Sequence, residues 1–267
     1  INNDGWQDIF ISTLDGGRKL LRNRGTGEKQ ISFENVTTRA GLDQDSARTF
    51  TTWFWDYNND GWLDILTVDY SFEKSLAYYA AAEKLQIPTG NSGHILLYEN
   101  NRNGTFSNVA KQTGLDQMAF SMGGNFGDID NDGYLDIYLG TGNPKYQSVI
   151  PNKMFRSLKG KKFVDVTSSA RVGHLQKGHG VSFADMDNDG DQDIYIKMGG
   201  AYPGDTYQNS FFLNPGQGTN KWIALNLMGT KSNRSAIGSR IKVTFREKDI
   251  TRTVYRDVNS GGSFGSS

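Results

Sequence analysis

Four short stretches of the chain repeat oxygen-bearing side chains at one spacing. They read NNDGWQD (Asn2 to Asp8), DYNNDGWLD (Asp56 to Asp64), DIDNDGYLD (Asp128 to Asp136) and DMDNDGDQD (Asp185 to Asp193). Counted from the first Asp of the full frame, the oxygens stand at positions 1, 3, 5 and 9, and position 6 is always Gly. A hard divalent cation takes six to eight oxygen ligands at about 2.3–2.6 Å. Alternate side chains of a tight loop converge on one point, and Gly permits the positive φ of the turn. The candidate ligands are Asn2, Asp4 and Asp8, then Asp56, Asn58, Asp60 and Asp64. The third and fourth sets are Asp128, Asp130, Asp132 and Asp136, and Asp185, Asp187, Asp189 and Asp193. The backbone carbonyl at position 7 adds Trp6, Trp62, Tyr134 and Asp191. The pattern points to Ca2+, with three full sites and one that lacks its leading Asp.

A metal-free hairpin and an EF-hand are the competing readings of the same residues. Asp-Gly between β-prone stretches is a hairpin signal that needs no metal. A turn requires one Asp and one Gly, however, and gains nothing from three or four mutually repelling carboxylates. An EF-hand loop ends in Glu at position 12 and lies between helices. Here position 9 leads into DIFI, DILTV, DIYL and DIYI, which are strand-like. Cation-holding hairpins fit better.

The elements that would position these loops follow from a second marker: ISFENVT, GTFSNVA and KKFVDVT, centred on Phe33, Phe106 and Phe163. From each Phe to the next loop's first Asp the spacing is 23, 22 and 22 residues. That constancy marks a repeated supersecondary unit. Each unit reads as four short strands, one entering the loop, one leaving it, then two more, as in a propeller blade. The expected fold is all-β: a partial β-propeller of about three and a half blades over residues 1–218, with a small truncated β domain over 219–267. Ser71 to Ile87 holds good helix formers and no Gly, with Pro88 beyond, which predicts an inserted helix of about four turns.

Net charge is zero over 267 residues, yet the loops carry 14 of the 29 acidic groups, so the remainder is basic. No dense Lys/Arg run suggests nucleic acid, and no apolar stretch is long enough to span a bilayer. Zero Cys excludes disulfides and thiolate metal sites. The chain begins inside a repeat, so a piece of a longer protein is expected, with any signal peptide lying outside it.

The loops and their spacing resemble the FG-GAP or VCBS-type repeats of integrin-like β-propellers. The stretch NKWIALNLMGTKSNRSAIGSRIKVTF with NSGGSFGSS resembles the ASPIC and UnbV domain that follows such repeats in the cartilage acidic protein family and in bacterial secreted relatives. The resemblance implies calcium in the hairpin between the first two strands of each blade. It also implies a secreted, extracellular, cell-surface or periplasmic module for interaction or adhesion.

If the loops share one face, the connections from second to third strand share the other. These are Asp69 to Gly93, Thr141 to Lys153 and Gly199 to Gln208, and they hold Tyr70, Tyr78, Tyr79, Tyr146, Tyr202 and Tyr207. Tyr combines contact area with a polar handle, which suits recognition of a protein or glycan partner. The alternative for the same face is an enzyme, glycan-active or biosynthetic, with Asp69, Glu73, His94 and Asp205 as candidates. His174 and His179 lack a third ligand, and no G-x-S-x-G or H-E-x-x-H motif is present.

Overall fold

The computed structural model describes residues 1–25, 31–146, 150–200, 202–216, 218, 220–231, 233–264 and 266. Parts of two expected partner-face connections (147–149 and 201) lie outside these, as do Ser232, Gly265 and Ser267 of the two terminal motifs.

The first unit holds β1 (Ile9–Ile11), β2 (Lys19–Asn23) and β3 (Phe33–Asn35). The second holds β4 (Thr49–Trp55), β5 (Asp64–Asp69), helix α1 (Leu76–Leu85), β6 (Ile95–Asn100) and β7 (Phe106–Asn108), followed by the short helix α2 (Ala110–Thr113). The third holds β8 (Ser121–Gly127), β9 (Asp136–Thr141), β10 (Lys153–Leu158) and β11 (Lys162–Asp165). The last comprises β12 (Gly178–Ala184), β13 (Asp193–Met198) and β14 (Ser210–Phe212), and a hairpin of β15 (Arg240–Glu247) and β16 (Ile250–Asp257) ends the series. Each unit is an antiparallel meander with strands in chain order. The chain is all-β and blade-like, as its spacing implies.

Consecutive sheets pack face to face, and one apolar cluster fills each gap. Leu20, Val36, Ile65, Leu96 and Phe106 lie between the first two sheets. Trp53, Trp55, Leu97, Ile137, Leu139 and Phe155 lie between the second and third, and Tyr138, Met154, Ile194 and Ile196 between the third and fourth. Strands β5 and β9 are buried along their whole length because they have a neighbouring sheet on both faces. The first strands meet at the centre, β4 against β8 and β8 against β12.

The Phe marker works through its third residue. Asn35, Asn108 and Asp165 each accept a hydrogen bond from the amide two residues on (3.1, 3.1 and 2.9 Å), closing an Asx turn as the chain leaves the fourth strand. The helix is shorter than expected. It spans ten residues because Ser75 caps it, accepting from the Tyr78 amide. Ser71 is instead held outside the helix, its amide and hydroxyl donating to Asp69 Oδ1.

Candidate metal centres and the opposite face

All four loops fold alike. Position 1 accepts from the amides of positions 5 and 6 through separate oxygens. For Asp56 these are Asp60 and Gly61 (3.0 and 2.8 Å), for Asp128 they are Asp132 and Gly133 (2.9 and 2.9 Å), and for Asp185 they are Asp189 and Gly190 (3.1 and 3.0 Å). Position 5 accepts from the position-7 amide: Trp6, Trp62, Tyr134 and Asp191 donate to Asp4, Asp60, Asp132 and Asp189 at 2.8–2.9 Å. Amide bonding thus turns the carboxylates inward and uses only part of their lone-pair capacity.

Position 9 reaches furthest. Asp8, Asp64, Asp136 and Asp193 each accept from a backbone amide at the end of the third strand, from Asn23, Asn100, Ser157 and Asn214 at 2.7–2.8 Å. The second oxygen of Asp136 accepts from Ile129 (3.0 Å) and that of Asp193 from Met186 (2.9 Å). This residue therefore staples its loop to the blade, and Asp136 also lies among the carboxylates of its loop.

The residues fit a cation by an independent sign. Asn2 Oδ1, Asp64 Oδ2 and Asp130 Oδ1 are buried acceptors with no hydrogen-bond partner. An uncompensated buried acceptor costs about 1–3 kcal/mol, and three different loops carry one. The carboxylates of Asp128, Asp130 and Asp136 offer ligand atoms within 4.8 Å of one another, as do those of Asp185, Asp187 and Asp189. Burial, with repulsion from Asp60 and Asp56, pushes Asp64 up to about 9. Burial likewise raises Asp56 to about 6 against the pull of the Gly61 and Asp60 amides. Asp128 rises to about 6, with burial offset by Arg256, and burial lifts Asp136 well above the usual range. These carboxylates are held together at a cost that a divalent cation would remove.

Position 4 is a functional residue that the ligand pattern does not reveal. Asn3, Asn59, Asn131 and Asn188 all adopt the left-handed conformation, with φ of 57, 56, 53 and 63°. Asn3 donates Nδ2 to the carbonyl of Gly61 (2.9 Å), Asn59 to that of Gly133 (2.6 Å) and Asn131 to that of Gly190 (3.1 Å). Each of the first three loops thereby grips the Gly of the next. The signal was an Asn in all four copies, unexplained by coordination. Replacing Asn59 by Gly keeps the positive φ and removes its bonds, including those from the Tyr255 amide and Arg256. A loss of about 1–3 kcal/mol is expected in a denaturant melt; an unchanged melt would show the bridge to be incidental.

The β15–β16 hairpin lies across the loop tips. Arg256 donates to Asp128 Oδ2 and to the Gly133 carbonyl (both 3.2 Å), and Arg252 donates to the Asp132 carbonyl (2.7 Å) while lying over the Tyr134 ring. Tyr255 and Val254 rest on Gly61 and Gly133, and the Trp222 indole lies on Gly190, where a Cβ would have no room. The position-6 glycine is thus needed for its φ of 84–96° and for this contact.

On the opposite face, Tyr78, Tyr146, Tyr202 and Tyr207 are exposed. Tyr70 and Tyr79 turn inward: Tyr70 donates to the Gly142 carbonyl and packs tilted against Phe50 and edge-on against Phe72, and Tyr79 packs on Phe120. The acid–base candidates are engaged separately. Asp69 accepts from the amides of Arg48, Ser71 and Gly93, Asp205 pairs with Lys177, and His94 pairs with Asp116. Glu73 is exposed. His179 bonds the Gly199 carbonyl, and His174 Nδ1 accepts from Gln176.

Residues 1–67 and 82–139 match the family model of the FG-GAP-like repeat. These two stretches are similar to FG-GAP-like repeats. They contain three of the four acidic loops, the first sheet, the second sheet but for the last two residues of β5, and β8 with the first part of β9. No curated protein matches the chain. No helix among the described residues is long and apolar enough to cross a membrane.

Proposed function

We propose that the chain is a calcium-stabilised extracellular interaction module whose partner, a protein or glycan, engages the face opposite the calcium loops. The observation that carries the calcium assignment is the set of buried, unpartnered acceptors repeated in successive loops. Each site would be formed by positions 1, 3, 5 and 9 with the position-7 carbonyl, the first lacking position 1. The second and third loops are enclosed, whereas the fourth is exposed at Asp185 to Asp189. Bound calcium would neutralise repulsion among the carboxylates and tie hairpin to blade, so binding free energy becomes folding free energy. At 100 times Kd one site contributes about 2.7 kcal/mol. The partner surface comprises Tyr78, Tyr146, Tyr202 and Tyr207, which are large, exposed and carried on connections between rigid strands. Within residues 219–267, a separate element, the β15–β16 hairpin holds the loop tips.

Calorimetric titration with calcium, with melts in calcium and in chelator across pH, tests this. Asp56, Asp128 and Asp64 have folded-state values raised to about 6, 6 and 9. The calcium-free fold therefore binds more protons than the unfolded chain. It is most stable below the ordinary carboxylate value, and that increment is lost as pH rises through about 6 and then about 9. Calcium needs the ionised forms, so the gap in Tm between calcium and chelator should widen from pH 5 to pH 8. Identical melts in calcium and EDTA at pH 8 would remove the assignment.

A further inference from the structure

Near the end of the described chain, Gly261 to Phe264 and Ser266 do not pack with the β15–β16 hairpin but run into the centre of the molecule. Ser263 pairs with Gly124 of β8 in an antiparallel bridge, donating its amide to the Gly124 carbonyl at 2.9 Å. Its hydroxyl accepts from the Thr52 amide of β4 (3.2 Å). The hydroxyl of Ser266 accepts from the Val181 amide of β12 (2.9 Å) and donates back to the Ser263 carbonyl (2.6 Å). Three successive blades thus each supply one backbone group to a stretch of six residues. Phe264 closes the arrangement, with ring centroids 5.1 Å from Phe50 and 5.8 Å from His179, and remains 56% exposed.

The inner strands are shaped for this. Each breaks its register with the second strand at the corresponding place: β4 between Thr49 and Thr52, β8 between Ser121 and Gly123, and β12 between Gly178 and Val181. A bulge frees backbone groups from the ladder and re-aims them, and bulges gather beside binding sites. Thr52 and Val181, the first residues past two of these breaks, are the ones that donate to the serine hydroxyls. Space is equally specific. A Cβ on Gly262 would fall on the Gly124 carbonyl and within 2.8 Å of Asn125 Cα, and one on Gly123 would meet the His179 carbonyl, with Ser263 O at 3.3 Å. Against β8, position 262 has room for Gly alone.

We propose that the axial cleft formed by β4, β8 and β12 is a peptide-binding site for a bent Gly-Gly-Ser-aromatic segment, and that Gly261 to Phe264 with Ser266 is its ligand in cis. Recognition is one antiparallel bridge to a bulged inner edge followed by a turn: main-chain and serine-hydroxyl bonds give affinity, and a small-residue requirement plus one aromatic contact at the mouth give specificity. The site is separate from the metal loops and from the tyrosine face. An identical segment supplied in trans competes for it.

The test uses the full chain and a labelled peptide with the sequence Asn-Ser-Gly-Gly-Ser-Phe-Gly-Ser-Ser. In the unaltered protein the amides of Thr52, Val181 and Ser263 are protected from hydrogen exchange, and the peptide is largely excluded. Gly262→Val displaces the segment, so these amides should exchange about tenfold faster or more while the other strand amides hold. The labelled peptide should then bind and be chased by unlabelled peptide but not by a scrambled sequence. Where Gly262→Val compromises folding, the triple variant Ser263→Ala, Phe264→Ala, Ser266→Ala removes the contacts without added bulk and is read the same way. Unchanged protection at Thr52 and Val181 would overturn the proposal. So would opened amides with no peptide binding, or equal binding of the scrambled peptide, because either leaves a packing contact without recognition.

Discussion

Replacing Asp136 by Ala is expected to cost about 3–5 kcal/mol in chelator, and more in calcium, where a ligand is lost as well. The residue is 1% exposed, and its two oxygens accept from Ser157 (2.7 Å) and Ile129 (3.0 Å). Truncation leaves both amides buried without acceptors, each costing about 1–3 kcal/mol. It also detaches the third loop from β10. Asp136→Asn separates this stapling role from the charge. Burial, with repulsion from Asp130 and Asp128, holds the Asp136 carboxyl well above its ordinary range. In chelator the Asn side chain keeps one acceptor and removes that repulsion. The Asn variant should therefore melt near the parent in chelator, yet fall well short of it in calcium. Denaturant melts of the three proteins under both conditions decide the matter. An Ala variant within about 1 kcal/mol of the parent would show that the carboxylate does not join loop to blade.

What the sequence revealed and what it hid divide along one physical line. Strand alternation, the acidic frame and the Phe marker are local, and β1 to β14 fall where those signals lie. The four loops were legible as ligand sets because coordination demands oxygens at close sequence spacing. The Asn at position 4 was visible in every copy but meaningless until its neighbour, 58 or 74 residues away, stood opposite its amide. The bond from position 9 to the third strand depends on register, which composition does not give. Helix α1 came out short because Asp69, on another element, draws Ser71 away. Least legible was the segment from Gly261 onward, since its partners Thr52, Gly124 and Val181 lie far earlier in the chain. Its glycines and serines suggest only a loop when read alone.

Lys177 carries the second large expected effect, and it bears on the partner face. Its side chain is wholly buried and paired with Asp205, itself 4% exposed, and its Nζ also donates to the Tyr146 carbonyl at 3.1 Å. The ammonium lies 5.7 Å from the Tyr146 ring centroid. One charge thus joins the connection bearing Tyr146 to the one bearing Tyr202 and Tyr207. The carboxylate of Asp205 leaves no room for a Cβ on Gly200, which accounts for the Gly199-Gly200 pair. Lys177→Met strands the buried carboxylate and should cost about 3–5 kcal/mol, and Asp205→Leu strands the ammonium at a similar cost. The double variant leaves no buried charge and should return to within about 1 kcal/mol of the parent, because an apolar pair of similar volume often equals a buried ion pair. The stable double variant then isolates the purpose of the pair. If the ion pair fixes the tyrosine-bearing connections for a partner, this protein keeps its melting temperature while proteolysis within 141–153 and 199–208 accelerates. If susceptibility there is unchanged, the pair contributes only to packing, and the orientation of Tyr146 relative to Tyr202 owes nothing to it.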